Sequence, residues 1–293
     1  MKILNKLGLF TNKREAQGYV FVFPWIIGFL MFFIYPLIQS IRLSFSKITR
    51  ITGFKMEFAG FGNYAKAFVW DINFVPMFLE VVKKTFINTP IIIVFSLIIS
   101  VMLNKNIRFR TFFRGLFFLP VLLGTGFVMQ QLLGQGVDQQ AMDLSRGILL
   151  PQQALMYLGP KVHLVIQNFL NLITILLWKS GVQILLFLAG LQGISGSLYE
   201  AARCDSATEW TMFWKITVPM ISPVTLLNII YTLIDSFTDT SNPIVTYIID
   251  VGIKNLQLEY GAAMGWIYFM FIFLLILLLF FIAKIFIYKT SDR

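Results

Sequence analysis

The sequence predicts an all-α membrane protein with six transmembrane helices and both termini in the cytoplasm. Hydrophobic residues make up 57% of the 293 positions, charged residues make up 13%, and the mean hydropathy is +0.77. A soluble domain of this length cannot bury so much apolar surface. The apolar residues also form long runs without charge, each near or above the roughly 18 residues of a membrane-spanning helix. These runs cover residues 16–41, 85–104, 115–137, 216–234 and 260–283.

A sixth run, residues 164–191, is interrupted only by Lys179. The predicted spans one to six are residues 19–43, 85–104, 113–135, 164–191, 216–238 and 262–287. Residues 1–18 are basic and weakly amphipathic and carry no cleavage signal, so we expect them to lie on the inner membrane surface ahead of an uncleaved first span. Residues 289–293 form the predicted cytoplasmic tail.

The loop between spans two and three decides the orientation. The loop reads "NKNIRFRTFFRG" and holds four basic residues and no acidic one. Short loops with excess Lys and Arg remain in the cytoplasm, and an even number of spans places both termini on that side. Membrane orientation thus accounts for the net charge of +10. The basic residues are dispersed over loops, which argues against nucleic-acid binding.

Few residues of this chain carry catalytic chemistry. His163 is the only histidine and Cys204 the only cysteine, and the chain contains no zinc-binding, redox or phosphate-binding motif. We therefore expect a protein that is not an enzyme and holds no metal or cofactor of its own.

A charged stretch, "LYEAARCDSATEWTMFWKITVPMISP", interrupts the apolar sequence between spans four and five. It predicts a helix, a break and a second helical run on the cytoplasmic side, at about residues 197–214. Ser197 and Glu200 match the capping-box pattern at the first helix start, and Asp205–Ser206 is the expected break. Pro219 and Pro223 are expected to bend the chain into span five. The second run is expected to place four side chains on one face: Trp210, Phe213, Trp214 and Thr217. From the residues alone, this stretch is either an interfacial connector or a docking element for another protein.

Part of this stretch, "EAARCDSATEWTMFWKITVP", resembles the E-A-A motif of bacterial ABC importer permeases. The matching residues are Glu200, Ala201, Ala202, Asp205, Ala207, Phe213, Ile216 and Pro219. Ser206 stands where the motif has Gly, and Val218 where it has Leu. Ser enters left-handed conformations less readily than Gly. Four further segments resemble permeases of the sugar class: "FVFPWIIGFLMFFIYPLIQSIRLSF", "FAGFGNYAKAF", "FRTFFRGLFFLPVLL" and "WKSGVQILLFLAGLQGI".

The resemblance covers residues 18–288 and implies the type I ABC importer permease fold in the bacterial cytoplasmic membrane. It implies a second homologous permease, two ATPase subunits that bind ATP and Mg, and an extracytoplasmic sugar-binding protein. Residues Glu200, Ala201, Ala202, Asp205, Ser206 and Ala207 would then form the coupling contact with the ATPase. The implied cargo is a sugar, with an oligosaccharide favoured. The alternatives are an ABC permease for another small polar solute such as glycerol phosphate, and an ion-coupled secondary transporter, which would usually show an internal repeat.

Polar residues inside the spans are candidates for the substrate path, because they are costly in lipid. At 1.5 Å per residue, Lys179 and Asp235 lie at similar depths, so we expect them to pair or to share one polar cavity. The alternative is that each snorkels or faces the partner permease. The remaining candidates are Asn171, Gln183, Tyr231, Ser236, Asp239 and Asn242. For any one of these, hydrogen bonding between helices is the competing interpretation.

Overall fold

The computed structural model of the protein describes residues 13–50, 55–105, 112, 115, 159–239 and 242–291. Its helices are α1 (Lys13–Phe29), α2 (Tyr35–Ser44), α3 (Gly62–Ala65), α4 (Phe74–Asn104), α5 (Pro160–Lys179), α6 (Gly181–Gln192), α7 (Gly196–Cys204), α8 (Glu209–Met212), α9 (Val218–Thr238), α10 (Pro243–Ile249) and α11 (Leu258–Ser291). The described residues also form four π-helical turns, at Leu30–Ile34, Lys66–Trp70, Phe213–Thr217 and Asp250–Lys254.

Four of the described helical segments are long and apolar enough to cross a membrane: Phe21–Ser44, Phe74–Asn104, Glu209–Thr238 and Leu258–Lys284. They coincide with predicted spans one, two, five and six, and α4 and α11 extend beyond the predicted limits. Predicted span three, residues 113–135, lies outside the described residues apart from residue 115.

Predicted span four is divided into α5 and α6 at Ser180. After α6 the chain turns at Gly193–Ser195, and α7 leaves at an angle of 64°. Taken together, α6 and α7 would be a fifth apolar segment of spanning length. No residue of α7 is buried within the described part of the chain. The bend thus directs the charged stretch away from the axis of α6.

The prediction of an all-α fold is wrong for the connection between spans one and two. There β1 (Ser46–Arg50) and β2 (Lys55–Phe58) form an antiparallel hairpin, in which Ser46 pairs with Phe58 and a register shift follows Ile48. The β-branched residues Ile48 and Thr49 favour an extended backbone. The side chain of Asn63, on α3, donates to the carbonyl oxygens of Ser44 and Ser46 at 3.0 and 2.9 Å, which attaches α3 to the junction of α2 and β1.

The predicted second helical run, up to residue 214, continues from α8 through the π-turn Phe213–Thr217 into α9 without a break. Pro219 has no N–H to donate to the carbonyl of Lys215, and its ring would press on that carbonyl in a regular α-helix. A π-turn widens the backbone at this point and admits the proline. The free-standing helix of the charged stretch is therefore α7 alone.

The chain divides into two compact units. One contains Val82–Thr238 and Ile276–Arg293. Its core forms where α4, α6 and α9 pack together, with Ile93, Phe187, Leu191 and Ile221 buried in one cluster. Gly190 permits the close approach of α6 and α9, because a Cβ atom at this position would lie 2.8 Å from Cγ2 of Val224.

The other unit contains Met1–Val81 and Asp239–Leu275. Its centre holds the π-turn after α10 against the start of α11. A Cβ atom on Gly261 would lie 2.5 Å from Cα of Gly252, so this contact requires glycine. The indole of Trp266 donates to the hydroxyl of Ser40 at 3.2 Å and ties α11 to α2.

Candidate functional site

The E-A-A residues lie on α7, which is a short exposed helix. Glu200 and Ala201 are exposed and Ala202 is half-buried, so the helix offers a small, smooth face with one carboxylate beside it. The predicted capping box is not formed, because the helix begins at Gly196 and the N-cap residue is Ser195. Ser197 is already inside the helix, and its hydroxyl lies 2.7 Å from that of Ser195.

Helix α7 ends in a Schellman motif, in which one residue adopts a left-handed conformation. That residue is Ser206, with φ +58. The N–H of Ala207 donates to the carbonyl of Ala202 at 2.9 Å, and the N–H of Ser206 donates to that of Arg203 at 3.0 Å. Ser206 therefore adopts the backbone conformation for which the E-A-A pattern uses glycine. The predicted break at Asp205–Ser206 is confirmed.

The next helix starts close to the end of α7. Thr208 caps it by accepting from the N–H of Thr211 at 3.3 Å. Glu209 in its first turn then forms two ion pairs, with Arg203 of α7 and with Lys105 after α4, each at 3.6 Å. All three side chains are more than 60% exposed, so salt screens these pairs and each adds little stability. Sequence reasoning missed this cluster, since Lys105 is distant in the chain.

The predicted aromatic face is present in part. The rings of Trp210, Phe213 and Trp214 contact one another at 5.2 to 6.3 Å between centroids. Thr217 does not lie on the same exposed face as these rings, because its side chain is buried and only 6% exposed. The extra residue of the π-turn rotates everything after it around the helix axis, so the regular 3.6-residue spacing no longer applies.

The predicted pairing of Lys179 and Asp235 is confirmed. The ammonium nitrogen of Lys179, at the end of α5, lies 3.6 Å from Oδ2 of Asp235 on α9. The side chains are 22% and 41% exposed, so neither is fully covered by the rest of the chain. This ion pair joins two predicted spans inside apolar sequence.

Gln183, a candidate for the substrate path, is completely buried between α6 and α9. Its amide nitrogen donates to the hydroxyl of Thr232 at 3.1 Å, and Asn228 donates to its backbone carbonyl at 3.3 Å. Gln183 therefore makes the interhelical hydrogen bonds of the competing interpretation. Asn228 and Thr232 were not predicted; the available signal was an Asn four residues before a Thr in an apolar span.

The other path candidates differ in how exposed their side chains are. Tyr231 is 37% exposed, and Ser236 and Asp239 are half-buried. Asn242 is buried as the N-cap of α10, where its side chain accepts from the N–H of Ile244 at 3.2 Å and donates to the hydroxyl of Tyr268 at 3.2 Å. The side chain of Asn171 lies outside the described residues. A substrate role for these residues stays a prediction.

A polar centre that the sequence did not predict surrounds Asp71. Its carboxylate accepts from the hydroxyls of Tyr260 at 2.5 Å and Tyr247 at 2.9 Å, and from the N–H groups of Asn73 and Phe74 at 2.9 and 3.1 Å. Burial alone would raise the pKa of Asp71, but these hydrogen bonds outweigh burial and lower the pKa. Asp71 thus remains ionised and joins the starts of α4 and α11 to α10.

Comparison with known proteins gives a consistent family likeness. The sequence profile of a family described as binding-protein-dependent transport system inner membrane component matches residues 72–292. The chain is 29% identical over 289 residues to the probable ABC transporter permease protein YesP of Bacillus subtilis, covering 92% of this chain and 91% of that protein. It is 29% identical over 285 residues to the arabinooligosaccharides transport system permease protein AraP of the same organism, covering 88% and 85%.

Solved structures show the same fold. A chain from the crystal structure of a bacterial alginate ABC transporter, in complex with an alginate pentasaccharide-bound periplasmic protein, superposes with a TM-score of 0.66. The superposition covers 94% of this chain and 96% of that chain at 17% sequence identity.

Proposed function

Because this chain belongs to the family of binding-protein-dependent transport system inner membrane components, we propose that it imports a sugar as the permease subunit of an ATP-driven transporter. In this proposal, six helices span the bacterial cytoplasmic membrane and both termini are cytoplasmic. An extracytoplasmic binding protein delivers the sugar. The chain passes the sugar inward by alternating access and is not itself the catalyst of ATP hydrolysis.

The observation that carries this proposal is the exposed helix α7 between two apolar helices. It presents Glu200 and Ala201 outward beside the half-buried Ala202, and the turn that ends it holds the left-handed Ser206. Small side chains allow a partner to approach closely, and the exposed carboxylate can pair with a basic group of that partner. We propose an ATPase subunit with bound ATP and Mg as the partner, with two such subunits beneath two homologous permeases. ATP binding shifts the transport cycle only if it favours one permease conformation over the other.

An oligosaccharide is the proposed cargo class. The names of the relatives support it, since AraP is named for arabinooligosaccharides and the structural neighbour comes from an alginate transporter. The candidate path residues include a cation and an anion that neutralise each other, Lys179 and Asp235. A polar and nearly neutral path suits hydroxyl-rich solutes.

Transport by the reconstituted complex tests the proposal. The chain is purified with the proteins encoded beside it, and uptake into proteoliposomes is measured with ATP or with an ion gradient alone. We expect an ATPase to co-purify and uptake to require ATP. Uptake driven by the gradient without ATP would instead identify a secondary transporter.

The cargo is tested on the binding protein encoded beside the chain. Melting temperatures are compared with neutral oligosaccharides, acidic oligosaccharides and glycerol phosphate. We expect an oligosaccharide to raise the melting temperature. A shift with glycerol phosphate alone would support the other solute class.

A further inference from the structure

Among the described residues, helix α7 makes few connections to the rest of its unit, and none of its side chains is buried there. Besides the chain itself, two side-chain links between described residues join it to the start of span five. One is the exposed ion pair of Arg203 with Glu209 at 3.6 Å. The other is a hydrogen bond of 2.8 Å between the hydroxyls of Tyr199 and Thr217.

The link between Tyr199 and Thr217 is the stiffer of the two. Thr217 is only 6% exposed, so water competes little for this hydrogen bond. The hydroxyl of Thr217 also donates to the carbonyl of Met212 at 3.5 Å. Either hydroxyl can be the donor in the 2.8 Å bond between Tyr199 and Thr217. The ion pair of Arg203, in contrast, is solvated and screened by salt.

Thr217 closes the π-turn that precedes the long helix α9. The N–H of Val218 donates back to the carbonyl of Phe213, which is the wide π pattern. Pro219 follows directly and cannot donate to the carbonyl of Lys215. The backbone hydrogen-bond ladder is therefore interrupted at the point where Tyr199 is attached. Helices bend where a π-turn or a proline interrupts the regular ladder.

We propose that Tyr199 is a positioning residue that fastens the coupling helix α7 to this π-turn, so that a displacement of α7 is passed to span five. This inference rests on the proposed function, because an ATPase has to displace α7. Tyr199 touches neither ATP nor sugar. It acts through Thr217, and the π-turn is the hinge at which span five changes its tilt.

The test measures sugar transported per ATP hydrolysed, in proteoliposomes that hold the complete importer. Tyr199→Phe removes only the hydroxyl. We expect it to lower this ratio about fivefold, in line with the loss of one hydrogen bond. ATPase co-purification is expected to stay at the wild-type level, and the melting temperature is expected to fall by no more than about 4 °C, as for the loss of one hydrogen bond. Thr217→Val should have the same effect, and the double variant should be no worse than either single variant.

Two further variants keep the proposal falsifiable. Thr217→Ser retains the hydroxyl and should preserve the ratio, and Tyr35→Phe, which changes an exposed tyrosine on α2, should have no effect. The proposal is overturned if the double variant lowers the ratio of sugar transported to ATP hydrolysed by the product of the two single effects. It is also overturned if Tyr199→Phe and Thr217→Val both leave this ratio unchanged. A parallel fall in melting temperature, hydrolysis and transport at a constant ratio would also overturn it. Failure of the proposed function looks different, since the wild-type chain would then retain no ATPase.

Discussion

The ammonium nitrogen of Lys179 on α5 lies 3.6 Å from a carboxylate oxygen of Asp235 on α9, and this ion pair links two helices inside apolar sequence. Removing one partner leaves the other charge poorly solvated. For a pair that keeps partial exposure, we expect Lys179→Asp or Asp235→Lys to cost about 1–3 kcal/mol of stability and to abolish transport.

The charge-swapped double variant, Lys179→Asp with Asp235→Lys, is expected to recover much of both properties. Melting temperature and ATP-driven uptake measure the two effects. A double variant as inactive as the single ones would show that each charge has a separate role.

Glu200 is predicted to contact the ATPase. Glu200→Lys reverses the charge on the exposed face of α7 and should release the ATPase or uncouple it, while the spans still insert. Co-purification and ATP-dependent uptake check this prediction. Glu57→Lys, an exposed reversal on the β-hairpin, is the matched control and should leave both unchanged. Normal assembly and uptake in Glu200→Lys would exclude the coupling role.

Ser206 adopts φ +58, a conformation that costs an ordinary residue about 1 kcal/mol and glycine almost nothing. Ser206→Gly should therefore keep transport and raise stability by about 0.5–1 kcal/mol. Ser197→Gly, within α7, should instead lower stability because glycine weakens a helix. Thermal unfolding in detergent compares the two, and a loss of transport in Ser206→Gly would contradict the expectation.

Gly190 is predicted to be required for the close contact of α6 with α9. The Cβ of an alanine would lie 2.8 Å from Cγ2 of Val224, so Gly190→Ala should cost about 1–3 kcal/mol. Adding Val224→Ala makes room and should recover part of the loss. Gly28→Ala, where no atom lies within 4 Å of the new Cβ, is the control. Equal melting temperatures for both alanine variants would contradict this packing.

The carboxylate of Asp71 is expected to make the stability of the folded protein depend on pH in the acid range. Its pKa in the folded protein lies below the ordinary value of 3.8, so the folded state prefers the ionised form. The resulting stabilisation is fully present above pH 3.8 and is lost as the pH falls through the lowered pKa. Asp71→Asn should cost about 1–3 kcal/mol at neutral pH and remove this part of the acid dependence.

Melting temperatures measured from neutral pH down past 3.8 check this expectation, with Glu57→Gln as the exposed control. An unchanged pH profile in Asp71→Asn would exclude the contribution of this carboxylate.

The break after α7 shows how far sequence reasoning reaches. Asp205–Ser206 was predicted as a break because local side-chain chemistry and the E-A-A pattern both mark it, and the Schellman hydrogen bonds confirm it. The predicted capping box at Ser197 is not formed, because the N-cap residue is Ser195, two positions earlier in the chain. Thr217 is not on the predicted aromatic face, because a π-turn changes the helical register of the residues that follow it. The local sequence gives no reliable signal for such a turn.

Contacts between distant residues were harder to predict. Lys179 and Asp235 could be paired because charges in apolar spans are rare and their depths are similar. The depth of Gln183 in the membrane could be estimated from the sequence in the same way. Depth alone, however, does not tell which side of the helix faces α9. Asp71 appeared to be an ordinary loop residue, and its tyrosine partners are 176 and 189 positions away.

By itself, the sequence determined the apolar spans that the structure describes and the exposed E-A-A helix between two of them. These features depend on hydropathy and short motifs, which act over neighbouring residues. Only the tertiary structure decided which polar side chains meet. Each residue turns a helix by about 100°, so one π-turn or one break redirects every side chain that follows. The attachment of Tyr199 to Thr217 and the polar centre around Asp71 depend on such rotations.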